Sequence, residues 1–174
     1  MRLHLIRHPE PLVEVGICYG RSNLGLRFPA EEAAADLRPQ LRHLPVGLPL
    51  FSSPLRRCLE LAAALHPAPR IDGRLQELHF GEWEMRSWED IGFSALNDWA
   101  ADPLGFVPPG GESANGLRLR VEDFLAELEQ ECDEAVLVTH AGVIKTLVGK
   151  AGGLPAAEWL VVEIAYASLT TVSL

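Results

Sequence analysis

The apolar positions of this 174-residue chain fall into short alternating or continuous runs, separated by longer stretches with helical spacing. Residues 2–7, RLHLIR, alternate as a short strand does, and LPLFSS at 48–53 suits a second strand. AVLVTH at 135–140 carries a continuous apolar run, the pattern of a strand covered on both faces. WLVVEIA at 159–165 and ASLTTVSL at 167–174 predict two further strands, paired as a hairpin at one sheet edge. Between these runs lie helices. Residues 30–44 are rich in helix formers with Glu31 and Glu32 in the first turn, and Pro39 is expected to bend or interrupt them. Pro54 is placed at the first position of a helix continuing through LRRCLELAAAL. From Glu112 to Cys132, the residues Leu117, Val121, Phe124, Leu125 and Leu128 form one apolar stripe of an amphipathic helix. A last helix, Ala141 to Lys150, follows the 135–140 strand directly.

Strands alternating with helices imply an α/β fold: a three-layer sandwich with a mainly parallel sheet flanked by helices. The stretch from Phe80 to Phe106 breaks the pattern. It holds Phe80, Trp83, Trp88, Phe93, Trp99 and Phe106, half of the aromatic residues of the chain, and runs into the turn-rich FVPPGGES. It reads as a small aromatic-rich helical cap, about residues 80–113, inserted into a single domain spanning 1–174. Such a segment serves as a satellite core, as a cover presenting rings to a substrate, or as both.

Composition narrows the class. Hydrophobic residues make up 48% of the chain, yet charged residues interrupt every run long enough to cross a membrane, and MRLHLIRHPE lacks the apolar core of a secretory signal. The formal charge of −9 and pI near 5.1 argue against nucleic acid or a membrane surface as partner. The distribution is uneven: residues 1–57 hold eight Arg against five acids, enough to build a local site for a small anion. Cys18, Cys58 and Cys132 are far apart with no C-x-x-C pair, which suits inert thiols in a reducing, cytoplasmic setting.

In a mainly parallel sheet, ligands bind beyond the carboxyl ends of the strands. Three candidate strands end in polar groups: Arg7 and His8 after the first, Arg56 and Arg57 after the second, Thr139 and His140 after the third. If those ends are adjacent, two imidazoles and at least two guanidiniums converge. Guanidinium matches phosphate or carboxylate through paired, charge-assisted bonds, and a neutral imidazole among such groups can attack phosphorus.

Five ordered blocks, LIRHPEP, SSPLRR, LQELHFGEWE, PGGES and VTHAGVI, resemble the histidine phosphatase superfamily, the group that also contains the cofactor-dependent phosphoglycerate mutases. The resemblance implies a phosphomonoester hydrolase with no cofactor and no metal. It implies that His8 takes the phosphoryl group as a phosphohistidine, later hydrolysed by water. Arg7 and Arg57 match the arginines that clamp phosphate, and His140 matches a second histidine donating to the phosphoryl oxygens. Glu77 stands at the position of the general acid, a role that needs partial desolvation or nearby phosphate charge.

The chain departs from the family pattern after the nucleophile, where R-H-G-E-T and a later Asn are usual. Here the run is Arg7-His8-Pro9-Glu10-Pro11, with Glu14 at the Asn position, so prolines stiffen the loop. RHPEP…GICYGRSNLGL further resembles the start of bacterial α-ribazole phosphatases, although Asn23 and Gly25 stand where Asp and Pro are common. That resemblance implies a small phosphorylated substrate, α-ribazole 5′-phosphate or its corrinoid product in cobalamin biosynthesis. Arg21 and Ser22 are then candidate contacts to phosphate or ribose, or fasteners of the loop. A broad-specificity small-molecule phosphatase, a phosphohistidine protein phosphatase and a non-catalytic phosphate-binding protein are the alternatives. The relatives that act as mutases are longer. For metal hydrolysis, His4 and His8 lie on a strand pattern without the helical Glu of H-E-x-x-H. No P-loop spacing and no G-x-S-x-G is present.

Overall fold

A computed structural model describes residues 1–159 and 162–174. Five strands, β1 (Arg2–Arg7), β2 (Leu50–Ser52), β3 (Arg70–Ile71), β4 (Glu134–Thr139) and β5 (Leu169–Ser173), form one sheet in the order β3-β2-β4-β1-β5. All neighbours are parallel except β5, which runs antiparallel to β1. The helices, in chain order, are α1 (Ala30–Leu41), α2 (Arg56–Leu65), α3 (Trp88–Ile91), α4 (Phe93–Ala101), α5 (Ala114–Glu131), α6 (Ala141–Ala151) and α7 (Ala156–Trp159).

The central strands are apolar on both faces because each face is covered. Leu3, Leu5, Ala135 and Leu137 point toward α5 and α6, packing on Leu117, Val121, Phe124, Val143, Ile144 and Leu147. Ile6, Val136, Val138 and Leu50 point the other way, onto Ala34 and Leu37 of α1 and Cys58, Leu61 and Ala62 of α2. This is the expected α/β sandwich, helices on both faces of a mostly parallel sheet.

Several boundaries differ from the sequence expectation. Helix α2 starts at Arg56, not at Pro54: the Ser53 hydroxyl accepts the Leu55 N–H at 3.3 Å, and Leu55 stays extended as the N-cap. Helix α1 keeps Pro39 in its last turn and ends at Leu41. Among the described residues the edge hairpin is not formed. Trp159 closes α7, residues 160–161 lie outside the described residues, and 162–165 have no regular structure. The Ile164 carbonyl instead accepts from the Arg7 guanidinium, and β5 pairs straight onto β1. Strand β3 is only two residues long, too short for a period-two signal.

The aromatic segment is a separate small core. Trp83 and Ile91 are buried with Cys18, and Phe80, Trp88, Leu96, Trp99 and Phe106 pack around them. Trp88 and Trp99 stack at 6.0 Å, and Phe80 meets both edge-on at 5.7 Å. No helix among the described residues is long and apolar enough to cross a membrane.

Candidate active site

Sheet register assembles the site. Arg7 of β1 lies opposite Thr139 of β4, and Ser52 of β2 opposite Val138. Two backbone bonds extend this pairing past the strand ends: His8 N–H donates to the Thr139 carbonyl, and Ser53 N–H to the Val138 carbonyl, both at 3.0 Å. His8, Ser53 and His140 are thereby side by side and buried. Arg57 and Cys58 enter from the first turn of α2, and His140 is the N-cap of α6.

Arg57 has no solvent exposure, and each of its donor nitrogens has a partner. Its Nη1 donates to the Ser22 carbonyl at 2.8 Å, Nη2 to the Gly20 carbonyl at 2.6 Å, and Nε to His8 Nε2 at 3.2 Å. Gly20 is needed here, because a Cβ would sit 2.6 Å from the Leu78 carbonyl at a φ of +35°.

The tautomer of His8 follows from its partners. Nδ1 lies 2.6 Å from the Pro9 carbonyl, which can only accept, so Nδ1 carries the proton and Nε2 keeps its lone pair. Burial, reinforced by Arg57, pushes the His8 pKa down to about 3, leaving a neutral ring at ordinary pH. Burial, then His8 and Arg57, likewise holds the pKa of His140 well below its usual value. The two rings meet edge-on at 5.0 Å. His140 Nε2 lies 2.8 Å from the Ser53 hydroxyl and 3.4 Å from Cys58 Sγ.

Arg7 places its guanidinium carbon over the Tyr166 ring, 3.7 Å from the ring centre. Its Nε is buried and finds no hydrogen-bond partner among the described residues, so a donor is left for a ligand. The Tyr166 hydroxyl meets that of Tyr19 at 2.9 Å, and the Tyr166 ring lies 5.7 Å from His8.

Glu77 is half-buried and rests on the N-terminus of α6. Its Oε1 accepts from Leu78 N–H at 2.9 Å, and Gly142 N–H reaches both carboxylate oxygens at 3.1 Å. The carboxylate approaches so closely that a Cβ on Gly142 would lie 2.3 Å from Oε1. The Glu77 carbonyl accepts from Arg21 Nε and Arg120 Nη2, both at 3.0 Å. Those two arginines converge on Glu112; burial would raise its carboxyl, but Arg120 and Arg21 hold it below the ordinary range.

Arg21 and Ser22 are therefore occupied as loop fasteners. Arg21 pairs with Glu112 at 2.9 Å, and the Ser22 hydroxyl donates to Glu84 at 2.6 Å. Glu84 also accepts the backbone N–H groups of Arg21 and Phe80. Glu14 is exposed, and Pro9 contributes the carbonyl that orients His8. Beyond Arg7 opens a cleft of about 680 Å³ lined by Ala141, Lys145, Val162, Glu163, Ile164 and Ala165. The aromatic rings of 80–106 are absent from that lining. His79 faces Glu84 at 3.9 Å, and among the described residues no three His, Cys, Asp or Glu side chains are grouped for a metal ion.

The resemblance assigns roles to Arg7, His8, Arg57, Glu77 and His140; it assigns none to Tyr19, Lys145 or Tyr166, nor to Ser53 and Glu84, although those two lie within the SSPLRR and LQELHFGEWE blocks. For Lys145 a signal exists: it stands four residues after Ala141, on the same face of the helix that His140 caps.

A neutral, buried imidazole beside guanidiniums at the carboxyl ends of parallel strands is an arrangement suited to phosphoryl transfer. The chain belongs to the histidine phosphatase superfamily (branch 1), whose pattern matches residues 3–174. It is 32% identical to the adenosylcobalamin/alpha-ribazole phosphatase of Salmonella typhimurium, covering 91% of this chain and 83% of that one. It is also 32% identical to a glucosyl-3-phosphoglycerate phosphatase of Mycolicibacterium vanbaalenii, covering 91% and 77%. The crystal structure of the alpha-ribazole phosphatase from Shigella flexneri superposes with a TM-score of 0.86 at 28% identity, over 99% of this chain and 90% of that one. The protein is a phosphomonoesterase of this superfamily, acting on small phosphorylated substrates through a phosphohistidine intermediate.

Proposed function

We propose that His8 is the nucleophile and that the substrate is α-ribazole 5′-phosphate or its corrinoid product. Nε2 of His8 forms the N–P bond as the bond from phosphorus to the leaving oxygen breaks. Glu77 gives its proton to that oxygen. Water then attacks phosphorus, its proton passes to Glu77, and the N–P bond breaks to release phosphate. Arg7 and Arg57 offset the charge that builds on the phosphoryl oxygens, and the neutral His140 ring contributes a hydrogen bond to them. The observation that carries this reading is the neutral His8 ring, with Nδ1 locked on the Pro9 carbonyl and Nε2 turned to Arg57. The Salmonella relative and the RHPEP…GICYGRSNLGL stretch support the substrate. The three free thiols suit a cytoplasmic setting.

The Mycolicibacterium relative favours a second substrate, a glucosylated phosphoglycerate. The test is phosphate release from α-ribazole 5′-phosphate, glucosyl-3-phosphoglycerate and p-nitrophenyl phosphate in EDTA. A preference for the ribazole ester of roughly two orders of magnitude in kcat/KM, about 2.7 kcal/mol, is expected. A preference for the glucosyl ester exchanges the substrate. His8→Ala abolishes turnover and the acid-labile phosphoryl label; retained turnover removes His8 as nucleophile.

A further inference from the structure

The alcohol half of the substrate must lie where Glu77 can protonate its oxygen. Glu77 rests on Gly142 at the N-terminus of α6, and the next wall of the site is the cleft that begins at Arg7 and Ala141. That cleft, between α6 and residues 162–165, offers room for a leaving group beside Arg7. Among the described residues that lining holds no aromatic ring: its side chains are those of Arg7, Lys145, Glu163 and small or aliphatic residues. Lys145 is half-buried, and its field is shared by Glu77, Arg7 and Glu163: burial and Arg7 lower its pKa, while the two carboxylates raise it. Glu163 is exposed at the mouth. A cleft that sets an ammonium and a carboxylate together, with opposite hydrogen-bonding capacities and no net charge between them, is matched to neighbouring hydroxyl groups. Each hydroxyl can both donate to Glu163 and accept from Lys145.

Resting on the phosphatase reading above, we propose that Lys145 and Glu163 form the leaving-group subsite and select hydroxylated, sugar-like alcohols. Lys145 donates to the hydroxyl oxygens; Glu163 accepts from vicinal hydroxyl groups. The aromatic cap has no part in this selection.

The test compares wild type, Glu163→Gln and Lys145→Met on ribose 5-phosphate, 3-phosphoglycerate and p-nitrophenyl phosphate. The readout is the ratio of kcat/KM for ribose 5-phosphate to that for p-nitrophenyl phosphate. Each variant is expected to lower that ratio tenfold or more. Glu163→Gln keeps the shape at an exposed position, so its result is free of folding effects. An unchanged ratio in both variants overturns the subsite. A selective loss on 3-phosphoglycerate in Lys145→Met, with the ribose ratio unchanged, overturns the hydroxyl reading in favour of an anion site. Failure of the phosphatase reading looks different: wild type would release no phosphate from p-nitrophenyl phosphate and take no label on His8.

Discussion

Gly142→Ala separates the chemistry of Glu77 from the stability of the fold. The position lies in the first turn of α6, where alanine is preferred over glycine by roughly 0.5–1 kcal/mol. The obstacle is the carboxylate: the added Cβ would sit 2.3 Å from Glu77 Oε1 and 3.3 Å from Leu117 Cδ1. Leu117 can yield a few tenths of an ångström, but Oε1 must retreat by about 1 Å to reach ordinary contact, and a shift of that size at a reacting group costs on the order of 100-fold. The retreat also stretches the 3.1 Å bonds from Gly142 N–H beyond hydrogen-bonding range. The expected loss of kcat/KM is therefore about 2.7 kcal/mol for esters whose alcohol needs a proton. For p-nitrophenyl phosphate, whose leaving group departs as a stable anion, the loss is expected to stay below about threefold, outside the general-acid range. The assay is kcat/KM on ribose 5-phosphate and p-nitrophenyl phosphate, alongside a thermal melt. Equal losses on both esters, or none on either, with Tm held or raised, would refute Glu77 as proton donor.

Two more outcomes follow from the geometry. Because the His8 pKa falls from 6.5 to about 3 on folding, the unfolded chain binds the proton first below pH 6.5; stability is full above that value and is lost as pH falls toward 3. The slope attributable to His8 approaches about 1.4 kcal/mol per pH unit, so a urea titration of His8→Asn should show a shallower loss from pH 6.5 to 4 than wild type. Parallel slopes would mean His8 is not buried neutral. Trp99→Ala removes three ring contacts within the cap and should lower stability by about 2 kcal/mol, leaving the ratio of ribose 5-phosphate to p-nitrophenyl phosphate turnover as in wild type. A changed ratio would put the cap rings against the substrate.

What the sequence makes legible depends on how far apart the deciding contacts are. RLHLIR and AVLVTH announce their strands because burial on one or both faces is written in consecutive residues. Once those strands are parallel neighbours, the register Arg7↔Thr139 carries His8 and His140 to the same place. His8 and His140 are therefore readable from strand ends alone, whereas Glu77, which ends no strand, is readable only from the LQELHFGEWE block. Boundaries set by a single hydrogen bond are not: Ser53 delaying α2 and Arg7 drawing the Ile164 carbonyl away from strand pairing leave no periodic trace. The same holds for roles. Arg21 reads as either a phosphate contact or a loop fastener, and Glu112, ninety-one residues away in the chain, holds it as a fastener beneath Glu77. Tyr166 and Tyr19, 147 residues apart, meet beside His8 through a contact no local pattern encodes. The aromatic segment leaves both readings of its composition open, core or cover, and the fold shows the core: its rings pack on one another 5.5–6.1 Å apart, while the cleft beside Arg7 is lined by aliphatic and charged groups among the described residues. Residue chemistry thus points to the reaction, while the walls of the cleft beside Arg7 come from segments that only the folded chain brings together.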